Sequence, residues 1–315
     1  MFARADRPDL ARRLKRLARV FPLERLVDER VGMADVASYY DVCFDAYRRY
    51  HSGEGAVHMA LNDGQRFDAA GFRGQAERLA ASWQARPPRD VLELAFGQGF
   101  NLAELAPRFP ATRFEGIDLT PRHVQHAREM LAARGIGNVT LREGDYHALP
   151  FADASFDAVF CIEAMCHALD PARAIAECAR VLRPGGTLTL FDGYVAAPLD
   201  TLPADSRLAV RLTAHGMAIE RFQTPDEMHR HAAAAGLQRV ADERLDTQIL
   251  PSLRRLERIT GAVVRWPWLG RRALAKRHPM RGRNVLAGYL MRCLVTMGLL
   301  TYRHLAWRQP GDNPG

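Results

Sequence analysis

From Asp90 onward, short apolar runs alternate with longer stretches of helical periodicity, the pattern of a parallel sheet built from crossover units. Strands are predicted over residues 90–95, 113–118, 139–143, 156–162 and 187–192, and helices over 101–108, 121–134 and 171–182. Asn101 and Thr120 stand where the first two helices need caps. Further along, a helix over 225–235 starts behind Thr224 and stops at Gly236, and a strand begins at Leu237. A helix over 285–297 and a strand over 300–307 close the pattern. Upstream, Leu10, Leu14, Leu17, Ala18 and Phe21 recur at helical spacing with Arg12, Arg13, Lys15, Arg16 and Arg19 between them. Such a basic amphipathic helix either lies on a membrane or packs on its own domain. Two long connections, about 194–223 and 249–284, join residues 1–85 as candidates for a cap over the carboxyl ends of the strands. Residues 86–315 are expected to form the sheet domain that this cap covers.

Composition narrows the class. With 315 residues, 48% hydrophobic and 25% charged, the chain has the balance of a globular protein, which excludes disorder and collagen-like order. The most apolar run, 284–300, carries Arg292 in its middle, so no spanning helix is expected, although peripheral contact with a membrane stays open. Residues 1–20 are basic throughout and lack the apolar core of a secretory signal, so a cytoplasmic protein is expected. Five scattered cysteines contain no CxxC pair, and no metal site is expected. The net charge of +8 is concentrated. Residues 251–283 hold ten Lys/Arg against Glu257 alone, which suits an anionic ligand, a nucleic acid, an anionic membrane surface or simply a solvated helical face. No nucleic-acid module accompanies them, and only Trp266 and Trp268 interleave with the arginines, so a nucleic-acid partner is not expected.

The chemistry centres on Val91-Leu92-Glu93-Leu94-Ala95-Phe96-Gly97-Gln98-Gly99-Phe100-Asn101, a strand leading through a glycine-bearing turn into a helix. Glycines there let a backbone approach a ligand closely. Dinucleotide-binding proteins use a similar turn, but here a third glycine is missing and an acid, Glu93, sits within the strand. Asp118 ends the second strand, where a carboxylate can accept both ribose hydroxyls. Asp145, in Gly144-Asp145-Tyr146, follows the third strand, where an acid can accept from an adenine amino group beside an aromatic ring. Together with Arg180-Val181-Leu182-Arg183-Pro184-Gly185-Gly186, this set resembles the class I S-adenosylmethionine-dependent methyltransferases over roughly residues 90–192. The resemblance implies an α/β fold with a Rossmann-like, seven-stranded, mostly parallel sheet under a helical cap, and S-adenosylmethionine as cofactor. It also implies a cofactor site of Glu93, Ala95, Gly97, Gly99, Asn101, Asp118, Leu119, Gly144, Asp145 and Tyr146. Ala95 departs from the family, which has a glycine at that position.

A narrower resemblance lies in Ile162-Glu163-Ala164-Met165-Cys166-His167-Ala168, which is similar to a stretch of sterol methyltransferases. Tyr39, Tyr40, Asp41, Asp45, Tyr47, Tyr50 and His58 resemble positions of the same family, whereas its following tryptophan-rich segment is replaced by His51-Ser52-Gly53-Glu54-Gly55. The expectation is a carbon methyltransferase acting on an isoprenoid-like apolar small molecule rather than a sterol. Alkene methylation needs a dry pocket, aromatic faces to steady a cation and a base to remove a proton. Tyr39, Tyr40, Tyr47 and His51 are candidates to line the acceptor, and Glu163, His167, Tyr50 and His58 are candidates for catalysis. Either Glu163 or His167 can be the base. The basic stretch suggests a prenyl diphosphate head. Methylation of oxygen or nitrogen, with His167 taking the proton, and a non-catalytic cofactor-binding protein are the alternatives.

Overall fold

All five residues of β1 (Asp90–Leu94) are buried, as a central parallel strand covered on both faces requires. In the computed structural model, which describes residues 7–275 and 279–311, β1 pairs in parallel with β2 (Arg113–Asp118) and β4 (Phe156–Ile162). The sheet continues through β3 (Val139–Glu143) on one side, and through β5 (Leu182–Val195), β7 (Leu300–Arg308) and β6 (Gln238–Arg244) on the other. Its order is β3-β2-β1-β4-β5-β7-β6, with β7 antiparallel to both neighbours, so the sheet is seven-stranded and mostly parallel as expected. The order reverses at β1, and there an open α/β sheet leaves a crevice beyond its strand ends.

The predicted strands all form; β2, β3 and β4 keep the predicted ends, and the others shift theirs. β1 stops at Leu94 because Ala95 adopts a left-handed φ of 50°. β5 runs on to Val195, since Tyr194 and Val195 pair with Thr301 and Leu300 of β7. Helices α5 (Phe100–Leu105), α6 (Pro121–Ala133) and α7 (Pro171–Val181) follow the strands as crossovers. Asn101 lies inside α5, whose N-cap is Gly99, so its expected capping role is not what the fold gives it.

Above the strand ends sits a helical layer. α1 (Arg7–Leu17), shorter than the expected 8–21, buries Leu10, Leu14 and Leu17 and thus packs on its own protein. α2 (Leu23–Val27) and α3 (Met33–Ala46) follow, then a π-helical turn (Tyr47–His51) and α4 (Gly74–Trp83). α8 (Ala204–Gly216) and α9 (Pro225–Ala234) precede β6. The 249–284 connection is not an irregular loop but α10 (Asp246–Arg265), α11 (Pro267–Ala275) and the start of α12 (Pro279–Thr296). Pro251 reads as a helix breaker in sequence, yet it lies inside α10 with its side chain buried. Lys276 and Arg277 of the basic stretch lie outside the described residues.

Gly99 shows how tightly the glycine turn is seated. Its φ is 82°, and a Cβ there would lie 2.8 Å from Ala127 Cβ on α6. Gly99→Ala is therefore expected to destabilise the fold by about 2–4 kcal/mol, measurable as a lowered urea midpoint at unchanged slope.

Candidate active site

A cavity opens over the ends of β1, β2 and β4, lined by Ala95, Gly97, Asp118, Leu119, Gly144, Asp145 and Tyr146 of the sheet side. Met33, Val36, Ala37 and Tyr40 of α3 close it from above. α3 is clipped down by Arg122 of α6, which donates to Asp45 Oδ1 at 3.0 Å and to the carbonyl of Asp41 at 3.2 Å. Asp118 is held by backbone donors: Gly97 N at 2.8 Å on Oδ2 and Thr120 N at 2.8 Å on Oδ1, with His123 Nδ1 at 3.2 Å. These contacts fix the carboxylate's orientation and leave a lone pair on Oδ2 for a ribose hydroxyl. Asp145 Oδ1 accepts from His147 N and Nδ1, and Tyr146 donates to the carbonyl of Ala164 at 3.1 Å. Asp118 and Asp145, set beside the apolar side chains of Ile117, Leu119 and Val36, suit a nucleoside. Ala95, with φ at 50°, occupies the backbone region that favours glycine, which gives the departure at this position a strain cost of about 1–2 kcal/mol.

Glu93 and Asn101 lie beneath this turn, not on the cavity wall, and Gly99 faces α6. Asn101 Nδ2 donates to Glu93 Oε1 at 2.9 Å, while its Oδ1 lies 3.2 Å from His58 Nε2. Burial pushes the Glu93 carboxyl up to about 8, and its Oε2 has no partner. A buried carboxyl oxygen left open beneath the site, together with the ribose-ready and amine-ready acids above it, fits a cationic nucleoside cofactor. Among the described residues, no group of His, Cys, Asp and Glu is arranged to hold a metal ion.

A second cavity adjoins the first at Glu163. Its walls are Met217, Phe222, Ile249, Leu253, Met291 and Val295, and its polar floor is Glu163, Asp192, Thr301 and Tyr302. Glu163 is the residue that lines both cavities. It follows β4 with a left-handed φ of 50°, and its amide donates to the carbonyl of Phe191 at 2.7 Å, which tethers this strained turn to β5. Met59 N donates to Glu163 Oε1 at 2.6 Å, and the Tyr302 hydroxyl also bonds to the carboxyl. Burial, with Asp192 nearby adding repulsion, raises the Glu163 carboxyl to about 8. Asp192 is itself raised to about 6 by burial, against donation from the amides of Cys166 and Gly193.

His167 and the tyrosines form a bonded cluster rather than a set of free bases. His167 Nδ1 lies 3.1 Å from the carbonyl of Ala218, which can only accept, so this nitrogen carries the proton. Nε2 then accepts from the Tyr40 hydroxyl at 2.9 Å, and burial lowers the imidazole to about 4. Tyr39 donates to Asn284 Oδ1 of α12 at 2.5 Å and is bonded to Tyr47 at 2.9 Å; neither tyrosine lines the two cavities. Tyr50, expected near catalysis, is 44% exposed because the π-helical turn rolls it outward. His51 and His58 are buried, each lowered to about 4, and are tied to backbone carbonyls and Asn101 rather than facing either cavity. Met59, Asp192 and Tyr302 are not identifiable from sequence, because only folding brings their distant segments to Glu163.

The described arginines of the basic stretch point away from both cavities. Arg255 donates to the carbonyls of His51 and Tyr50, Arg254 to that of Gln65, and Arg283 pairs with Glu29. Among the described residues, no lysine or arginine lines the second cavity.

Comparison with known proteins agrees with this geometry. Residues 91–186 match the family described as a methyltransferase domain. The chain is 38% identical over 120 residues to demethylmenaquinone methyltransferase of Deinococcus radiodurans, covering 38% of this chain and 49% of that one. It is 31% identical over 162 residues to cycloartenol-C-24-methyltransferase 1 of Oryza sativa subsp. japonica, covering 50% and 45%. The chain thus spans about half the length of these curated relatives. The fold superposes on geranyl diphosphate C-methyltransferase of Streptomyces coelicolor A3(2), crystallised with geranyl diphosphate and S-adenosyl-L-homocysteine, at a TM-score of 0.63 and 17% identity over 88% of this chain and 97% of that one.

Two measurements check the site. Asp118→Ala is expected to weaken S-adenosylmethionine binding about 10–100-fold by calorimetry, through loss of charge-assisted hydrogen bonds. Glu93 and Glu163 hold protons in the folded state that the unfolded chain has already released, so folding stability of the cofactor-free protein must fall as pH rises towards about 8. Chemical unfolding across neutral to mildly alkaline pH should show that fall, and Glu93→Gln should flatten it.

Proposed function

We propose that the chain, whose residues 91–186 match the methyltransferase-domain family, uses S-adenosylmethionine to methylate carbon of a neutral, isoprenoid-like apolar molecule held in the second cavity. The single observation that carries this reading is the position of Glu163, shared by the cofactor-side cavity and the apolar one. S-adenosylmethionine, when bound, supplies an electrophilic methyl group. The residues that would hold it are Asp118 for the ribose, Asp145 and Tyr146 for the adenine, and Leu119 for the apolar contacts of the base.

This chain's own part is to dry the acceptor, orient it and remove a proton. Methionine, leucine, isoleucine, valine and phenylalanine side chains exclude water from the alkene. As the new carbon–carbon bond forms, positive charge develops on the acceptor, and the Glu163 carboxylate is the anion placed beside it. A proton lost from the adjacent carbon goes to Glu163, restoring the double bond. Met59 N and Tyr302 hold that carboxylate at the junction. Tyr40, oriented by His167, presents its ring to the cofactor-side cavity, where it can act as a cation-steadying face towards the transferred methyl. Among the described residues no cationic side chain lines the acceptor walls, which supports a neutral tail over a diphosphate head in this cavity. The Glu163–Asp192 pair favours one second reading, deprotonation of an acceptor hydroxyl before oxygen methylation.

Glu163→Gln is expected to lower turnover about 100-fold while leaving cofactor affinity within about threefold. In the wild type, kcat/KM should rise with pH towards a plateau above about 8 as the carboxyl ionises, a dependence that the variant should lose. Wild-type turnover by Glu163→Gln would remove Glu163 from the chemistry.

A further inference from the structure

The corner where α10 meets α11 is dressed unlike the rest of the surface. Ile259, Trp266, Trp268 and Leu269 are 44%, 50%, 65% and 47% exposed, and they make up most of the large hydrophobic side chains so exposed among the described residues. Ile259 and Trp266 are seven residues apart and therefore share one face of α10 and its end. Gly270 lets α11 fold back against this end, since a Cβ there would meet the carbonyl of Val263 at 2.4 Å. The tryptophans and leucine are thus gathered at one prominence.

Cations ring it. Arg258, Arg265, Arg271 and Arg272 are exposed, and the Arg265 guanidinium lies 5.2 Å over the Trp266 ring. Arg271 donates to the carbonyl of Arg19 at 2.5 Å, which brings the end of α1, with exposed Lys15 and Arg19, to the same side. The one acid of the stretch, Glu257, is already paired with Arg13 at 2.5 Å and Arg292 at 2.6 Å, so it does not offset this field. Tryptophan and leucine set among arginines is the composition that enters the headgroup region of an anionic bilayer. The opposite face of α10 gives a reason for such contact: Ile249 and Leu253 wall the apolar cavity, so one helix joins the exposed corner to the acceptor space. Among the described residues, no helix is long and apolar enough to cross a membrane, so the contact is with a surface.

We propose that the α10–α11 corner docks this protein onto an anionic lipid surface, from which an apolar acceptor passes along α10 into the second cavity. Docking stands on the exposed corner itself; only the delivery rests on the acceptor reading above. The test is co-sedimentation of the whole protein, without cofactor or acceptor, on phosphatidylcholine vesicles with and without phosphatidylglycerol. The expected result is salt-sensitive binding to the anionic vesicles alone. Trp266→Ala/Trp268→Ala/Leu269→Ala should weaken it about tenfold or more at an unchanged melting temperature, and so should Arg258→Glu/Arg272→Glu. Absence of vesicle binding, or variants that bind like the wild type, would overturn the proposal. Binding to duplex DNA without vesicle binding would overturn it in favour of a nucleic-acid surface. Failure of the carbon-methylation reading would leave the vesicle result untouched.

Discussion

A carboxyl group taken out of water must either keep its proton or find compensation, and Glu163 is built around that constraint. Burial lifts it to about 8, while the Met59 amide and the Tyr302 hydroxyl limit the rise. Each compensating group comes from a different part of the chain: the segment before α4, and the antiparallel strand β7 at the far side of β5. Gln75 of α4 strengthens both links, since its Nε2 donates to the carbonyl of Met59 at 2.8 Å and to the Tyr302 hydroxyl at 3.1 Å. The carboxyl is therefore a point at which the cap and the sheet are held in register. A proton acceptor with a near-neutral affinity, dry surroundings and fixed geometry is the product of that arrangement.

The two cavities differ as the two halves of a group transfer demand. One carries aspartates already oriented by backbone amides, which suits recognition of a polar nucleoside with little reorganisation. The other is walled by aliphatic, methionine and phenylalanine side chains from the helical layer, so its shape belongs to the cap and its chemistry to the strand ends. Division of labour of this kind lets one sheet serve many acceptors, because recognition resides in the helices laid over it.

Much of the sheet was legible in the sequence because buried parallel strands read as short apolar runs bounded by turns. Asp118, Gly144, Asp145 and Tyr146 were legible for a related reason, as each stands within a few residues of a strand end. Glu163 emerged from its local stretch, but its partners did not: Met59 and Tyr302 lie far away in sequence and meet it only through folding. Tyr50 was misplaced because a π-helical turn alters the angular position of residues that an α-helical count would set inward. The direction of the basic stretch's arginines stayed open in the sequence, since composition counts charge but not the face of α10 or α11 on which it falls. His167 looked like a free base until the Ala218 carbonyl and the Tyr40 hydroxyl occupied both its nitrogens.

The central claim is that carbon, in an apolar acceptor beside Glu163, receives the methyl group. It is tested most directly by supplying S-adenosylmethionine labelled with carbon-13 in its methyl, together with neutral polyprenyl alkenes and phenolic analogues, and locating the label in the product by NMR. The account predicts a labelled methyl bonded to a former alkene carbon, with a double bond re-formed next to it. A label found on oxygen or nitrogen alone would contradict it.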